Sequence, residues 1–357
     1  MIIHSKFKDY SVNIKDSLEF LYELVKTSNA EFVIDQNVYS LYSKYFLDIP
    51  ENRLYLVEAI EENKIIETAL DICEKMTEIP AKRNAHLISI GGGIIQDITG
   101  FVANILYRGI PWTFVPTTLL ASCDSCIGGK TSLNYKKFKN LLGTFYPPDE
   151  LYICPEFFHT LSERDFQSGL GEVVKFNIMA GRQGLENIEA YIGRLLSRDN
   201  ECLNRFVESS LYFKKEFIET DEFDHGERIK LNFAHTFGHA IETVTNYEIP
   251  HGTAVAIGMI MANYISKQRG ILDENIVHRS EKVLLKVIHI KTRLTDYPIE
   301  QFVAAIRKDK KQTSTQLTAV LMTNKAKDLK VIHDMTESEV KDALTYFQYL
   351  YDTWSRE

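Results

Sequence analysis

No stretch of this chain reaches the roughly 18 consecutive apolar residues that a membrane-spanning helix needs. The opening MIIHSKFKDYSVNI lacks the charged, apolar and small-residue zones of a secretory signal, which points to the cytoplasm. Basic runs and basic–aromatic interleaving are also missing, and the formal net charge is -8, so neither a nucleic-acid nor a membrane partner is expected. A small anionic ligand stays compatible, because a local cluster of Lys and Arg can outweigh the global charge. Cysteine is scarce. Cys73, Cys123, Cys126, Cys154 and Cys202 form an odd set that argues against a disulfide framework. Cys123 and Cys126 make a C-x-x-C pair, but one lone pair fits small buried thiols better than a redox or zinc site. Repeats and low-complexity linkers are absent.

What remains is an ordinary globular composition, 45% hydrophobic and 25% charged, in 357 residues, a length that suggests two domains. The first part alternates strand and helix signals. Met1–Ile14 and Glu31–Ile34 read as strands, as does Val57–Ala59. A helix is expected from about Asn63 to Met76, a strand over His86–Ile90, a glycine turn at Gly91–Gly93 and a helix from about Ile95 to Leu106. The strand Trp112–Val115 then runs into Pro116-Thr117-Thr118. Such alternation implies a parallel sheet with helices on its faces. From about residue 155 the signals turn helical, with helices expected over Leu203–Glu219, Ile229–Val244 and Gly252–Arg269, the last stopped by Gly270. Leu317–Met322 and Leu329–Ile332 read as a hairpin, and Thr336 with Glu339 as a capping box. The expected layout is an α/β domain over residues 1–155 and a mainly α-helical domain over 156–357.

Three segments carry chemistry. Gly91-Gly92-Gly93, between a strand and a helix, lets backbone N–H groups approach a phosphate, though a purely structural turn explains it as well. Asp97 follows on the first helical turn. The segment DSCIGGKTSLNYKKFKN joins Asp124, a glycine pair and Lys130 to Lys136, Lys137, Lys139 and Asn140. It reads either as a phosphate cradle or as a solvated basic loop. Third, His235, His239 and Glu242 share a helix face by their i, i+4, i+7 spacing and invite a metal. Of ten histidines, His235, His239, His251 and, less well, His225 are ligand candidates. Glu172 is ambiguous, since a Glu followed three residues later by Lys175 is usually a surface pair.

Taken together, GGGIIQD, VPTTLLASCDSCIGGKTSLN, FKNLLGTFYPP, GLGEVVKF, LNFAHTFGHAIE and HGTAVAIGM resemble the motifs of the 3-dehydroquinate synthase family, in that family's order and spacing, over roughly residues 30–312. The resemblance implies a Rossmann-like N-terminal domain, an α-helical C-terminal domain, an active site in the cleft between them, NAD, and a Zn²⁺ or Co²⁺ ion. It makes Glu172, His235 and His251 the metal ligands and His239 a catalytic histidine near the metal, with Asn232, Lys175 and Asp124 as further catalytic groups. It assigns NAD to Asp35, Asn37, Glu61, Lys64, Gly92, Gly93, Asp97, Thr117, Thr118, Lys139, Thr160 and Leu161. Substrate falls to Lys130, Asn140, Lys214, Arg228 and Lys311, and to Arg108, which in family dimers enters the neighbouring subunit's phosphate pocket.

The implied reaction oxidises a hydroxyl to a ketone, which acidifies the adjacent C–H and permits β-elimination of phosphate. The hydride then returns, the ring opens, and an intramolecular aldol step closes a carbocycle, so NAD has no net turnover. Departures from the family pattern are Gln96 for a glycine in GGGxxGD, Gly171 before Glu172, and NFAHTFGH for NLGHTFGH. Retention of Lys130, Asn232 and His239 favours 3-deoxy-D-arabino-heptulosonate 7-phosphate as substrate. Sister cyclases forming valiolone-, deoxy-inosose- or aminodehydroquinate-type rings, and metal-dependent alcohol or glycerol dehydrogenases, are the alternatives.

Overall fold

The run His86–Gly91 is so apolar that Leu87, Ile88 and Ile90 are wholly buried, as a strand covered on both faces requires. It lies near the middle of a sheet in the computed structural model, which describes residues 1–78, 84–136, 138–308 and 316–355. The chain divides into two units, Met1–Leu161 with Leu203–Leu211, and Ser162–Cys202 with Tyr212–Glu357.

In the first unit the strands are β1 (Ile2–Ile3), β2 (Tyr10–Ile14), β3 (Ala30–Asp35), β4 (Leu54–Val57), β5 (His86–Gly91), β6 (Trp112–Pro116), a hairpin of β7 (Lys130–Tyr135) and β8 (Phe138–Phe145), and β9 (Glu150–Ile153). Seven of them form a sheet in the order β1-β2-β9-β6-β5-β3-β4, parallel throughout except for the β1–β2 pair. The helices α1 (Phe20–Leu24), α2 (Gln36–Leu41), α3 (Ile66–Glu78) and α4 (Gly93–Ile105) connect them. From β3 the chain moves outward to β4, then returns to β5 on the other side and continues to β6. The strand order therefore reverses between β3 and β5, where open α/β sheets bind ligands at the carboxyl ends of their strands. Ile34 pairs with Ile90, so Asp35 and Gly91 end their strands side by side.

The second unit contains α5 (Glu163–Met179), α6 (Arg182–Leu196), the ends of α7 (Asn200–Thr220), α8 (His235–Val244), α9 (His251–Gln268), α10 (Glu274–Leu284), α11 (Ile299–Lys308), the antiparallel hairpin of β10 (Leu317–Met322) and β11 (Leu329–Met335), and α12 (Glu337–Trp354). Residues Ala254 to Ala262 of α9 are buried on every side, which marks it as the core helix of this unit. Each fully buried Val, Ile or Met there contributes about 1.5–3 kcal/mol. Glycines let its neighbours approach backbone to backbone. A Cβ on Gly252 would overlap the Ser168 carbonyl oxygen of α5, and one on Gly258 would overlap the Ala234 carbonyl oxygen that precedes α8.

Several local expectations shift. Met1–Ile14 is two short antiparallel strands, and the strand expected at Val57–Ala59 lies earlier, at Leu54–Val57. Helix α3 starts at Ile66, after a 3-10 turn over Glu61–Asn63. The basic segment after Lys130 is the β7–β8 hairpin rather than a loop. The single helix expected over Ile229–Val244 is broken. A 3-10 turn, Glu227–Asn232, ends at an extended Phe233, and Ala234 takes a left-handed conformation with φ 69° before α8 begins. That strain, of order 1–3 kcal/mol, is held by the close packing of Ala234 on Gly258. The hairpin β10–β11 and the Thr336–Glu339 capping box form as expected. Cys123 and Cys126 are buried and not joined in a disulfide, and each thiol lies against a backbone carbonyl.

Candidate functional site

At the switch point of the first unit, Gly92 caps α4 without a side chain, and Gly93 is open, since a Cβ added there would meet only the Ser125 hydroxyl, at 3.8 Å. Thr117 N–H donates to the Gly91 carbonyl at 2.9 Å, and the Thr118 methyl packs where a Cβ on Gly92 would lie. Asp35 caps α2 by accepting from the Asn37 N–H at 2.9 Å; burial raises its pKa. Thr160 contacts Tyr42, at the other end of the same helix, hydroxyl to hydroxyl at 2.8 Å. Leu161 closes the first stretch of the unit.

One turn into α4, Asp97 meets Lys64 at 2.5 Å, and the Lys64 ammonium also donates to Asn140 Oδ1 at 2.7 Å. The Ser132 hydroxyl lies 2.9 Å from both Asp97 Oδ2 and Asn140 Oδ1, and its single proton serves one of them at a time. Asn134 ties this group to Glu61, donating to its carboxylate at 2.9 Å, and Lys139 stands 3.9 Å from the same carboxylate. Burial raises the Asp97 pKa while Lys64 opposes it. Glu61, Lys64, Asp97, Lys139 and Asn140 therefore share one polar network. Ser132 and Asn134 were missed by sequence reasoning; their i, i+2 spacing on β7 is the signal, visible only once the segment is read as a strand. Gln96 was read only as a departure. It is buried; its Nε2 donates to the Ser125 carbonyl and its Oε1 accepts from the Ser125 hydroxyl, both at 2.7 Å. Asp124 precedes Ser125 on a π-helical turn, Lys130 opens β7, and Arg108 has a left-handed φ of 67°.

The second unit builds a different kind of site. Glu172 is fully buried in the middle of α5. His235 is the first residue of α8 and His251 the first of α9. Both histidines bring Nε2 to 3.3 Å from the same oxygen, Glu172 Oε1. These contacts have ion-pair distances, so one oxygen of a buried carboxylate stands with two imidazole nitrogens turned toward it. Lys175 is 2.6 Å from the other oxygen and donates to the Leu231 carbonyl at 3.1 Å. The pair read from sequence as a surface pair is buried, because α5 lies under α9 and the turn before α8. Burial alone would raise the Glu172 pKa, but Lys175 and His235 hold it well below the ordinary carboxylate range. Burial opposes protonation of His251, yet the Glu172 and Glu242 carboxylates push it up to about 10.

Ligand atoms of Glu172, His235 and His251 all lie within 4.8 Å of one another, and so do those of His239, Glu242 and His251; among the described residues these are the groups that could hold an ion. One buried carboxylate oxygen and two imidazole nitrogens fit a divalent metal. His225 belongs to neither group. His239 packs edge-on against His235 at 5.4 Å between ring centroids. Asn232 ends the 3-10 turn before α8, Lys214 is buried on α7, and a terminal guanidinium nitrogen of buried Arg228 donates to the Glu222 carbonyl. Lys311 and Lys137 lie outside the described residues.

The sequence matches the 3-dehydroquinate synthase N-terminal family over residues 54–168 and the 3-dehydroquinate synthase C-terminal family over residues 169–312. A 3-dehydroquinate synthase of Clostridium tetani is 37% identical over 312 residues, covering 85% of this chain and 83% of its own. Among solved structures, 2-epi-5-epi-valiolone synthase from Streptomyces hygroscopicus, with NAD⁺ and Zn²⁺ bound, aligns with a TM-score of 0.81 at 25% identity, over 97% of this chain and 98% of its own. A 2-deoxy-scyllo-inosose synthase complexed with carbaglucose-6-phosphate, NAD⁺ and Co²⁺ shares the fold, with a TM-score of 0.83 at 20% identity over 96% and 98% of the two chains. A glycine turn at the sheet's switch point, a buried Glu flanked by two histidines and two adjoining matches that together span most of the sequence lead to one conclusion: this chain belongs to the 3-dehydroquinate synthase family.

Proposed function

We propose that this chain is a phosphate-eliminating carbon–oxygen lyase, a cyclase that converts 3-deoxy-D-arabino-heptulosonate 7-phosphate to 3-dehydroquinate and phosphate, placing it in the shikimate route to aromatic amino acids. The observation that carries the reading is the convergence of Glu172, His235 and His251 in a chain 37% identical to a protein named for this reaction. NAD is assigned to the first unit, along Gly92, Gly93 and Asp97 with Asp35 toward the adenosine, and Zn²⁺ or Co²⁺ to the three side chains of the second. When bound, the dinucleotide supplies a temporary hydride acceptor and the ion an electrophile for a substrate oxygen.

The chain's own residues do the rest. Lys175, held between Glu172 and the Leu231 carbonyl, keeps the buried carboxylate ionised and so able to bind a cation. His239, beside His235, and Asn232 relay protons, and Asp124 contributes from its π-helical turn. Lys130, Asn140 and Lys311 bind the phosphate, with Arg108 reaching it from a second copy in a homodimer. Lys214 and Arg228 read the carboxylate, a task that suits the fork of donors on Arg.

The test is phosphate release from a panel of sugar phosphates with NADH absorbance followed in parallel. Phosphate is expected from the carboxylated heptulosonate without accumulation of NADH. Release only from a carboxylate-free heptulose or hexose phosphate would move the substrate to a sister cyclase. Stoichiometric NADH without phosphate would mark a dehydrogenase. Arg228→Ala should impair the carboxylated sugar by roughly 1.5–3 kcal/mol, the worth of a charge-assisted contact, and a carboxylate-free sugar far less.

A further inference from the structure

The imidazole of His251 lies between two carboxylates. Its Nε2 is 3.3 Å from Glu172 Oε1, and its Nδ1 is 3.2 Å from Glu242 Oε2. Glu242 sits on α8 seven residues after His235, and its side chain is only 12% exposed. The three-residue groups Glu172–His235–His251 and His239–Glu242–His251 therefore compete for one ring.

Imidazole chemistry decides between them. A neutral ring has one lone pair and one N–H, so it ligates through one nitrogen and donates through the other. At His235 the choice is made by the backbone. Its Nδ1 lies 3.0 Å from the Phe233 carbonyl, which can only accept, so the lone pair falls on Nε2, toward Glu172. The left-handed Ala234 between those two residues sets this turn. His251 has the same arrangement with a carboxylate in place of the carbonyl. If its Nδ1–H is given to Glu242, its Nε2 lone pair also points at Glu172. Two lone pairs then meet one oxygen of a buried carboxylate, Oε1, which is what an ion needs. Placing the ion in the other group would require the Nδ1 lone pair, turn an N–H on Nε2 toward Glu172, and set the His235 Nε2 lone pair against the Glu172 carboxylate with no ion between them.

We infer that Glu242 is a positioning residue. It accepts the Nδ1–H of His251, fixes the tautomer and the ring plane, and directs Nε2 into the Glu172 site; it is not itself a ligand, and the His239–Glu242–His251 group is not a second metal site. Carboxylates that hold ligating histidines in this way typically account for a 10–100-fold change in metal affinity. The inference rests on the metal assignment made above, and its test separates the two.

Metal-stripped wild type, Glu172→Ala, Glu242→Gln, Glu242→Asp and Glu242→Ala are titrated with Co²⁺ by calorimetry, and the visible absorption of the bound ion is recorded. Wild type should bind one ion per chain. Glu172→Ala should lose it. Glu242→Ala should bind one ion about 10–100-fold more weakly, with an altered Co²⁺ spectrum, and Glu242→Asp should recover part of the loss. Glu242→Gln keeps the size and one accepting oxygen, so it carries the test if the alanine variant does not fold, and it should bind more weakly than wild type with the same stoichiometry. Two ions per chain in wild type, loss of binding by Glu242→Gln as complete as by Glu172→Ala, or unchanged affinity and spectrum in both Glu242→Gln and Glu242→Ala would each overturn the inference. If Glu172→Ala binds Co²⁺ like wild type, it is the metal assignment itself that fails.

Discussion

In the first unit, Lys64 lies against Asp97 and donates to Asn140, the Ser132 hydroxyl touches both Asp97 and Asn140, and Asn134 accepts from the Asn140 backbone N–H. In the second, Glu172 has a lysine on one oxygen and two histidine nitrogens crowding the other. The first network closes on itself, and what it offers a ligand is the backbone of a helix start and a strip of small polar groups. The second gathers three possible ligand atoms, one of them a buried carboxylate oxygen, an arrangement that suits a cation. An extended anion suits the one, and a compact ion suits the other. The difference shows up in histidine as well. Burial lowers the pKa of His86 at the start of β5, whereas two carboxylates outweigh burial and raise that of His251.

The harshest way to break this contrast is Glu172→Ala. Several kcal/mol of transition-state stabilisation should vanish with the ion, a fall in turnover of roughly a thousandfold or more. Denaturant unfolding should also show a loss of roughly 3–5 kcal/mol, since Lys175 would be left buried without its anion. NAD binding, measured by calorimetry, should persist; its loss would mean the two sites are not separately built.

Next in size is Asp97→Asn. It removes the charge opposite Lys64 and should weaken NAD binding by about 1.5–3 kcal/mol, or roughly 10–150-fold. Co²⁺ affinity should be unchanged. A parallel loss of both ligands would erase the distinction between the two sites.

Gly252→Ala probes the spacing of Glu172 and His251 without touching either. The new Cβ would push on the Ser168 carbonyl, and overpacking of this kind costs about 1–3 kcal/mol. Metal affinity should fall because α9 carries His251 at its first residue. Wild-type metal affinity in this variant would show that the helix contact does not set the ligand distance.

The smallest effect is expected at His86, whose ring meets the Thr113 hydroxyl at 2.8 Å. Its folded pKa is below the unfolded value near 6.5. The unfolded chain therefore takes up the proton first, and stability falls as pH drops below about 6.5 toward the folded pKa. His86→Gln should flatten that part of the stability profile. An unchanged slope would show that burial does not govern this group.

Local pattern was enough for much of the scaffold. The near-continuous apolar run before Gly91, the Thr336–Glu339 cap and the β10–β11 pair are short-range signals, and they form where they were expected. The β7–β8 hairpin was not legible, because its lysines and its mostly exposed β8 side chains hide the alternation of a strand. The break at Ala234 was invisible for another reason. Alanine has no preference for a left-handed turn, and only the approach of Gly258 makes the strain worthwhile.

The same division holds for the sites. Sequence by itself determined the chemical types: a glycine turn after a buried strand, an acid one helical turn later, and histidines spaced along a helical segment. It also carried the motif order that marks the family. Helical spacing grouped His235 with His239 and Glu242, since one helix can align only its own residues. Tertiary structure decided that His235 and His251 meet over Glu172, a residue on a third helix, and that Lys175 is buried beside it. Coordination geometry depends on where separate backbones cross, and those crossings are set by contacts such as Gly252 on Ser168 and Gly258 on Ala234, which no local periodicity encodes.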